Sequence, residues 1–376
     1  MVSFIFFISI FCMTLYSYYF YEIGLPIVPI FGYFLLILVV YLKKGTIKLN
    51  KSIFYLFSAA IIVFIIGTFP AILMNYSVDI KPILGLILAM TTFFIIYENF
   101  ENYEFEMIIN ILIKILLFFW FVHFIYYHYF GQFIDFLAPF TGEMQRQTFW
   151  VSGVVRPTSL FTEPSTYCNT MLVFFYIRLL LKNFKLFFLD YLIILTFYLS
   201  FSSYGIIVIS IFLMSLLLKK LNLKKIMYII SLFLIISFVI TYFYLLSLES
   251  INTLIERLSN PLGDQSGKNR VIGSIFDFFN ETTILTQLFG FGLGNAQYNG
   301  YLVSNGIFYL IMNVGIIGFI FFMTIFFLLF IQTKYTVLNL LIFLLSIVNG
   351  PIFTYYIWWV TMGMIYKINK RVNNIG

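Results

Sequence analysis

The sequence predicts an all-α fold: a polytopic integral membrane protein of about twelve spanning helices with two large outward loops. Three observations predict it. Of the 376 residues, 62% are hydrophobic and only 10% charged, more apolar surface than a soluble domain can bury. Apolar runs recur along the whole length, and about 20 apolar residues cross a hydrocarbon core of ~30 Å, where the backbone must bond to itself as helix. Polar residues instead gather in the stretches 131–163 and 248–305. The chain reads as one transmembrane domain, 1–376, with no internal repeat.

In order, the apolar runs lie near 2–21, 25–42, 52–72, 82–98, 107–130, 164–181, 186–200, 204–218, 226–247, 306–331, 337–350 and 352–366. The first lacks a basic start and an A-x-A cleavage pattern, so it reads as a retained span. The last two are broken at Asn349-Gly350-Pro351; a single bent span there is the alternative, and it would put the C-terminus outside. Threading the spans in alternation brings Lys43, Lys44, Lys48 and Lys51, Lys182 and Lys185, Lys219 to Lys225, Lys334 and the tail Lys367, Lys370 and Arg371 to one side. By the positive-inside rule that side is the cytoplasm, with both termini in it. The acidic connection Glu98 to Glu106 falls on the same side and weighs little in orientation.

The net charge of +7 is therefore a topology signal and does not imply nucleic acid. Cys12 and Cys168 have no partner at redox or metal spacing and read as small core residues. Lys114 and Asp190 lie one to two turns inside helix ends, where a snorkelling charge with a modest cost of burial is the plainer reading and a proton relay the sharper one. His123 and His128 are five apart and suit packing or the interface better than a shared ligand. With no His/Cys cluster and no D-x-D pair in the outward loops, neither metal nor cofactor is expected.

Arginine is distributed unlike lysine. Four of the six arginines, Arg146, Arg156, Arg257 and Arg270, lie in the outward loops, where no topology signal is needed. A guanidinium presents a planar fork of donors to phosphate or carboxylate oxygens, so these residues point to an anionic group such as a lipid diphosphate. Ordinary ion pairs with Glu143, Glu163, Glu256 and Asp264 are the competing reading. Glu163-Pro164 suits a helix start, with Pro at the first helical position and an acid at the positive end of the dipole. Capping is one role for Glu163; serving as a general base or sugar-hydroxyl ligand is the other. In the second loop, Lys268 and Arg270 precede an amphipathic piece, Val271 to Phe279, suited to the membrane interface. Gly290-Phe291-Gly292-Leu293-Gly294-Asn295 lacks the strand context of a dinucleotide site, so its glycines suit close approach of backbone to a ligand or re-entry at the bilayer edge.

Together these segments resemble the bacterial O-antigen polymerases (Wzy), within the wider O-antigen ligase and polymerase group. The resemblance rests on Arg156 through Pro164-Ser165, on Ser266 to Arg270 followed by Gly290 to Gly294, and on Gly315-Ile316-Ile317-Gly318, covering about residues 146–320. It departs at Ser202-Ser203-Tyr204-Gly205, where the group often carries Ser-Arg. The resemblance implies a metal-independent inner-membrane glycosyltransferase of the GT-C kind, acting in lipopolysaccharide biosynthesis. Such an enzyme polymerises undecaprenyl-diphosphate-linked repeats at the periplasmic face, with a chain-length regulator as a possible partner. It implies catalytic roles for Glu163, Arg156 and Arg270, with Arg146, Arg257, Lys268, Tyr204 and Asn295 as substrate-binding residues. An O-antigen ligase acting on lipid A core is the nearest alternative; it would carry a histidine in the second loop, and 248–305 has none. A polysaccharide flippase would show repeated halves and short loops.

Overall fold

The computed structural model describes residues 2–16, 18, 26–46, 55, 58, 61, 62, 65, 72, 73, 81–142, 144–147, 155–218, 273–292, 296, 305–349 and 355–370. Among them every regular element is a helix: α1 (Val2–Thr14), α2 (Ile27–Lys44), α3 (Lys81–Asn99), α4 (Asn102–Phe130), α5 (Ala138–Thr141), α6 (Pro164–Leu181), α7 (Phe188–Leu199), α8 (Ser203–Leu218), α9 (Gly273–Glu281), α10 (Ile284–Phe289), α11 (Gly306–Ile331), α12 (Thr336–Val348) and α13 (Tyr356–Asn369). Three of these, α2, α4 and α11, are long and apolar enough to cross a membrane, and shorter apolar helices accompany them. The expected run at 226–247 lies outside the described residues, as does most of 52–72.

Large apolar side chains stand exposed on these helices, as Phe31, Phe34, Leu38 and Tyr41 do along one stripe of α2 and Ile320 and Phe327 do on α11. Water would penalise such faces and lipid tails would not. The first expected span is shorter than its apolar run. Helix α1 has 13 residues, about 20 Å at 1.5 Å per residue and short of a ~30 Å core. It stops before a tyrosine-rich stretch whose hydroxyls need partners; Tyr18, for one, donates to the Phe136 carbonyl at 3.2 Å.

The described helices fall into two compact units. Helices α1–α3, α4 as far as Ile108, and α9–α13 form one; α4 from Ile109 onward, with α5–α8, forms the other. In the first unit, helix ends gather by charge. Lys43 Nζ donates to both Glu104 carboxylate oxygens at 2.6 and 2.7 Å, and Lys367 lies 3.6 Å from Glu101. The ends of α2 and α13 and the start of α4 thus meet. Helices α12 and α13 form an antiparallel hairpin, because Trp358 Nε1 donates to Ser346 Oγ at 2.9 Å while Asn369 Nδ2 donates to Asn339 Oδ1 at 3.2 Å. Two helices, not one bent span, therefore follow α11. Their shared core is aromatic, with Phe326 stacked on Phe343 at 4.5 Å and Trp358 edge-on to Trp359 at 5.1 Å.

Helix α11 is broken inside the apolar run. Gly315 has φ 70° and ψ 178°, and a Cβ there would stand 2.1 Å from the Leu288 carbonyl oxygen at the end of α10. Gly290 is the counterpart, at φ 79°, where a Cβ would stand 2.4 Å from the Asn313 carbonyl. Two glycines let two backbones touch where any side chain would part them. The carbonyl of Met312 accepts from Phe291 N at 2.9 Å, and Asn313 Oδ1 accepts from Ala296 N at 3.1 Å. The Gly290 segment thus approaches the backbone of α11. The amphipathic piece expected near 271–279 is α9, whose Phe278 is fully buried against Phe291, Ala296 and Met312 while Phe279 is exposed.

In the second unit, α6 is the most deeply buried helix, and an ion pair fastens it to α7. Arg178 Nε donates to Asp190 Oδ1 at 2.6 Å, while Asp190 Oδ2 accepts from the Phe187 backbone N–H at 2.7 Å. Arg178 Nη1 also donates to Asn110 Oδ1 on α4. Asp190 is wholly buried, so its charge is satisfied in place and does not reach for water; Lys114, by contrast, is exposed on α4.

Candidate functional site

The described part of the stretch 131–163 is held by polar side chains. Asp135 Oδ1 accepts from the Leu137 and Ala138 amides at 2.8 Å, and Oδ2 from the Gln145 amide at 2.7 Å. Gln145 accepts from Phe136 N and donates through Nε2 to the Ser159 and Phe161 carbonyls, all at 2.9 Å. Gln147 donates to the Ile134 carbonyl. Arg146 N bonds Thr162 O at 2.8 Å and Arg156 N bonds Gln147 O at 2.6 Å, so the stretch 144–147 runs beside 156–162.

Helix α4 grips the same segment from its other side. Ser159 Oγ donates to the Leu116 carbonyl at 2.8 Å, and Thr158 N donates to His123 Nδ1 at 3.4 Å. The His123 imidazole stacks on Phe136 at 4.8 Å. Held between these partners, Ser159 adopts φ 55°, a left-handed conformation that costs a non-glycine residue about 1–3 kcal/mol and persists where its surroundings over-determine it.

Glu163 takes the N-cap position of α6, with Pro164 at the first helical position as expected. Its side chain does not cap. Oε1 accepts from Arg146 Nη1 at 2.6 Å and Oε2 accepts from Ser165 Oγ at 3.1 Å. The Arg146 side chain is 71% exposed, so the pair contributes about 0–1 kcal/mol and acts chiefly to orient the carboxylate. Beneath Glu163 lies a buried polar layer. The Tyr167 hydroxyl donates to Thr196 Oγ1 at 2.9 Å, and Cys168 Sγ lies 3.2 Å from Ser200 Oγ.

Arg156 is half-buried, with its Nε sealed from solvent and its charge within electrostatic reach of Cys168. Its backbone is tied to Gln147, and the residues that follow it to α4. Arg146 is the arginine that meets Glu163. Tyr204 is half-buried beside Gly205, whose Cα packs against the Cys168 sulfur. One unit thus holds Arg146, Arg156, Glu163 and Tyr204 around the first half of α6, while Arg257, Lys268, Arg270 and Asn295 lie outside the described residues.

Asp135, Gln145, Gln147 and Ser165 were missed by sequence reasoning. A signal existed for the glutamines: they flank Arg146 at a spacing of two, which in extended chain turns both to one face and the arginine to the other. No known protein-family model matches the chain, and no curated protein matches it.

Proposed function

We propose that the chain is a membrane glycosyltransferase that polymerises undecaprenyl-diphosphate-linked repeat units at the periplasmic face of a bacterial inner membrane. Twelve spans in a GT-C-like arrangement, both termini in the cytoplasm and a chain-length regulator as partner belong to the same proposal. The observation that carries it is Glu163: a carboxylate at the head of a buried helix, not used as a cap, held between Arg146 and Ser165.

In this reading a hydroxyl of the acceptor sugar attacks the anomeric carbon of the donor unit. The new carbon–oxygen bond forms as the bond to the lipid diphosphate breaks; the hydroxyl proton passes to Glu163 and the electron pair to the diphosphate. Arg156 offsets the charge that grows on the leaving group, the kind of preorganised stabilisation that dominates many transfers. For Arg270 the same role rests on sequence alone. Arg146 sets the angle of Glu163.

The test is purified protein in nanodiscs supplied with one defined lipid-linked repeat. A ladder of products differing by one repeat is expected. Transfer onto a lipid A core acceptor with no ladder would replace polymerase by ligase, and no transfer to either acceptor would end the glycosyltransferase reading.

A further inference from the structure

Helix α4 carries its own depth scale. Between Glu104 and Glu106 at its start and Tyr126, Tyr127 and Tyr129 near its end runs Met107 to Ile125, apolar except for Asn110, Lys114 and His123. Those 19 residues rise about 27 Å at 1.5 Å each, close to a hydrocarbon core of ~30 Å, with the tyrosines placed as an aromatic belt. Leu116 is the middle residue of the run.

The chain that follows does not stay above that belt. Gly131, at φ 65°, turns it back. The Tyr126 hydroxyl donates to Gln132 Oε1 at 3.4 Å, and Phe133 stacks on Tyr127 at 4.8 Å. Phe136 then stacks on His123 at 4.8 Å and meets Phe119 edge-on at 4.9 Å, so within a few residues the chain has descended to about 5–10 Å above Leu116. Gln145 is tied to the same level, its amide donating to Asp135 and its Oε1 accepting from Phe136 N. Deeper still, Ser159 donates to the Leu116 carbonyl itself. Irregular backbone at such depth persists only inside protein or beside water, and Thr158, Ser159, Leu160 and Phe161 are all buried. Met144, next to Gln145, is instead 80% exposed, and Phe140, in the short helix α5, is 70% exposed.

We infer that the described part of 131–163 is a re-entrant element sunk into the leaflet at the C-terminal end of α4, and that the partner of its exposed face is lipid. At hydrocarbon depth, Phe140 and Met144 face acyl chains, which removes the penalty that water would impose on them. The stem of Arg146, 71% exposed, is long enough to carry its guanidinium up to the headgroup phosphates. The polarity that suggests an outward loop is used internally, because Asp135, Gln145 and Gln147 all bond the backbone of the stretch itself. Only a bilayer-crossing α4 is required for this, whatever the reaction.

Spin labels on Phe140→Cys and Met144→Cys, with the full chain in nanodiscs, test it; Phe118→Cys, an exposed position near the middle of α4, is the lipid reference. The signal of the unsubstituted protein, which carries Cys12 and Cys168, is subtracted. Thermal unfolding checks that each variant is folded, and because the two positions are measured separately, one that does not fold leaves the other to decide. Collisions are counted with dissolved oxygen, which enters hydrocarbon, and with a water-soluble nickel complex, which is excluded from it. Both labels are expected to follow Phe118→Cys, with frequent oxygen collisions and nickel collisions about tenfold or more below those of free label in buffer. Nickel collisions near the free-label rate at either position would put the stretch in water and overturn the inference. Infrequent collisions with both reagents would mean that protein covers the face, and would overturn the lipid assignment as well.

Discussion

Replacing Asp190 by Ala should strongly destabilise the second unit, and the size of the loss follows from what surrounds the carboxylate. Both of its oxygens are used, one by Arg178 Nε at 2.6 Å and one by the Phe187 amide at 2.7 Å. The Asp190 side chain is 0% exposed and that of Arg178 9%, so solvent screens the pair very little. Removing one member leaves the other charged, buried and unmatched, which costs about 3–5 kcal/mol. Loss of the N–H acceptor at the start of α7 adds about 1 kcal/mol. Among the described residues Arg178 would keep Asn110, a neutral acceptor. Removing both charges should behave differently: Arg178→Met with Asp190→Leu takes away the ions together and should recover most of the loss, since buried pairs exchanged for apolar residues of similar size are often neutral or better. Thermal unfolding in detergent, compared across the single and double variants, reads this directly. A single variant within about 1 kcal/mol of the parent, or a double variant as damaged as the single, would refute the claim that pairing, and not packing volume, holds α6 to α7.

Four further outcomes are expected. Glu163→Gln should reduce polymerisation by about 10²-fold or more with the fold intact, the usual share of a general base, read as loss of the product ladder. Arg270→Ala should cost about 10²-fold with only partial rescue by Lys, because a point charge lacks the guanidinium fork; full-length polymer from this variant would defeat the assignment. EDTA should leave activity unchanged, and activity lost to chelation but restored by Mg²⁺ would remove the arginine account of the leaving group. In intact cells an impermeant thiol reagent should label Asp264→Cys and spare Asn222→Cys; the reverse pattern would invert the topology.

The helices were legible because lipid makes hydropathy a direct readout of backbone state. The break after Val348 and the start of α6 at Glu163-Pro164 could be read locally, since proline and glycine act within a residue or two. Side-chain partners were another matter. Arg178 and Asp190 are twelve residues apart and meet only after α6 and α7 fold back on one another. Sequence reads Asp190 as a charge snorkelling near a helix end, whereas it is buried and paired. At the candidate site the residue types pointed to Glu163 and the arginines, yet which arginine meets the carboxylate depended on Gln145 and Gln147 fixing the face that Arg146 presents. The expected end of the first span failed because an apolar tyrosine ring counts as membrane in a hydropathy window while its hydroxyl still needs a partner.

The contact between Gly290 and Gly315 bears on how this chain can vary. Each glycine faces the other segment's main chain, so neither clash is relieved by shrinking a neighbouring side chain. A substitution at either position therefore breaks the same contact, so a second one adds its own backbone strain but no second loss of that contact. The two sites, 25 positions apart, should act as one locus in mutational space: each intolerant alone, and the pair far less harmful than the sum of its parts.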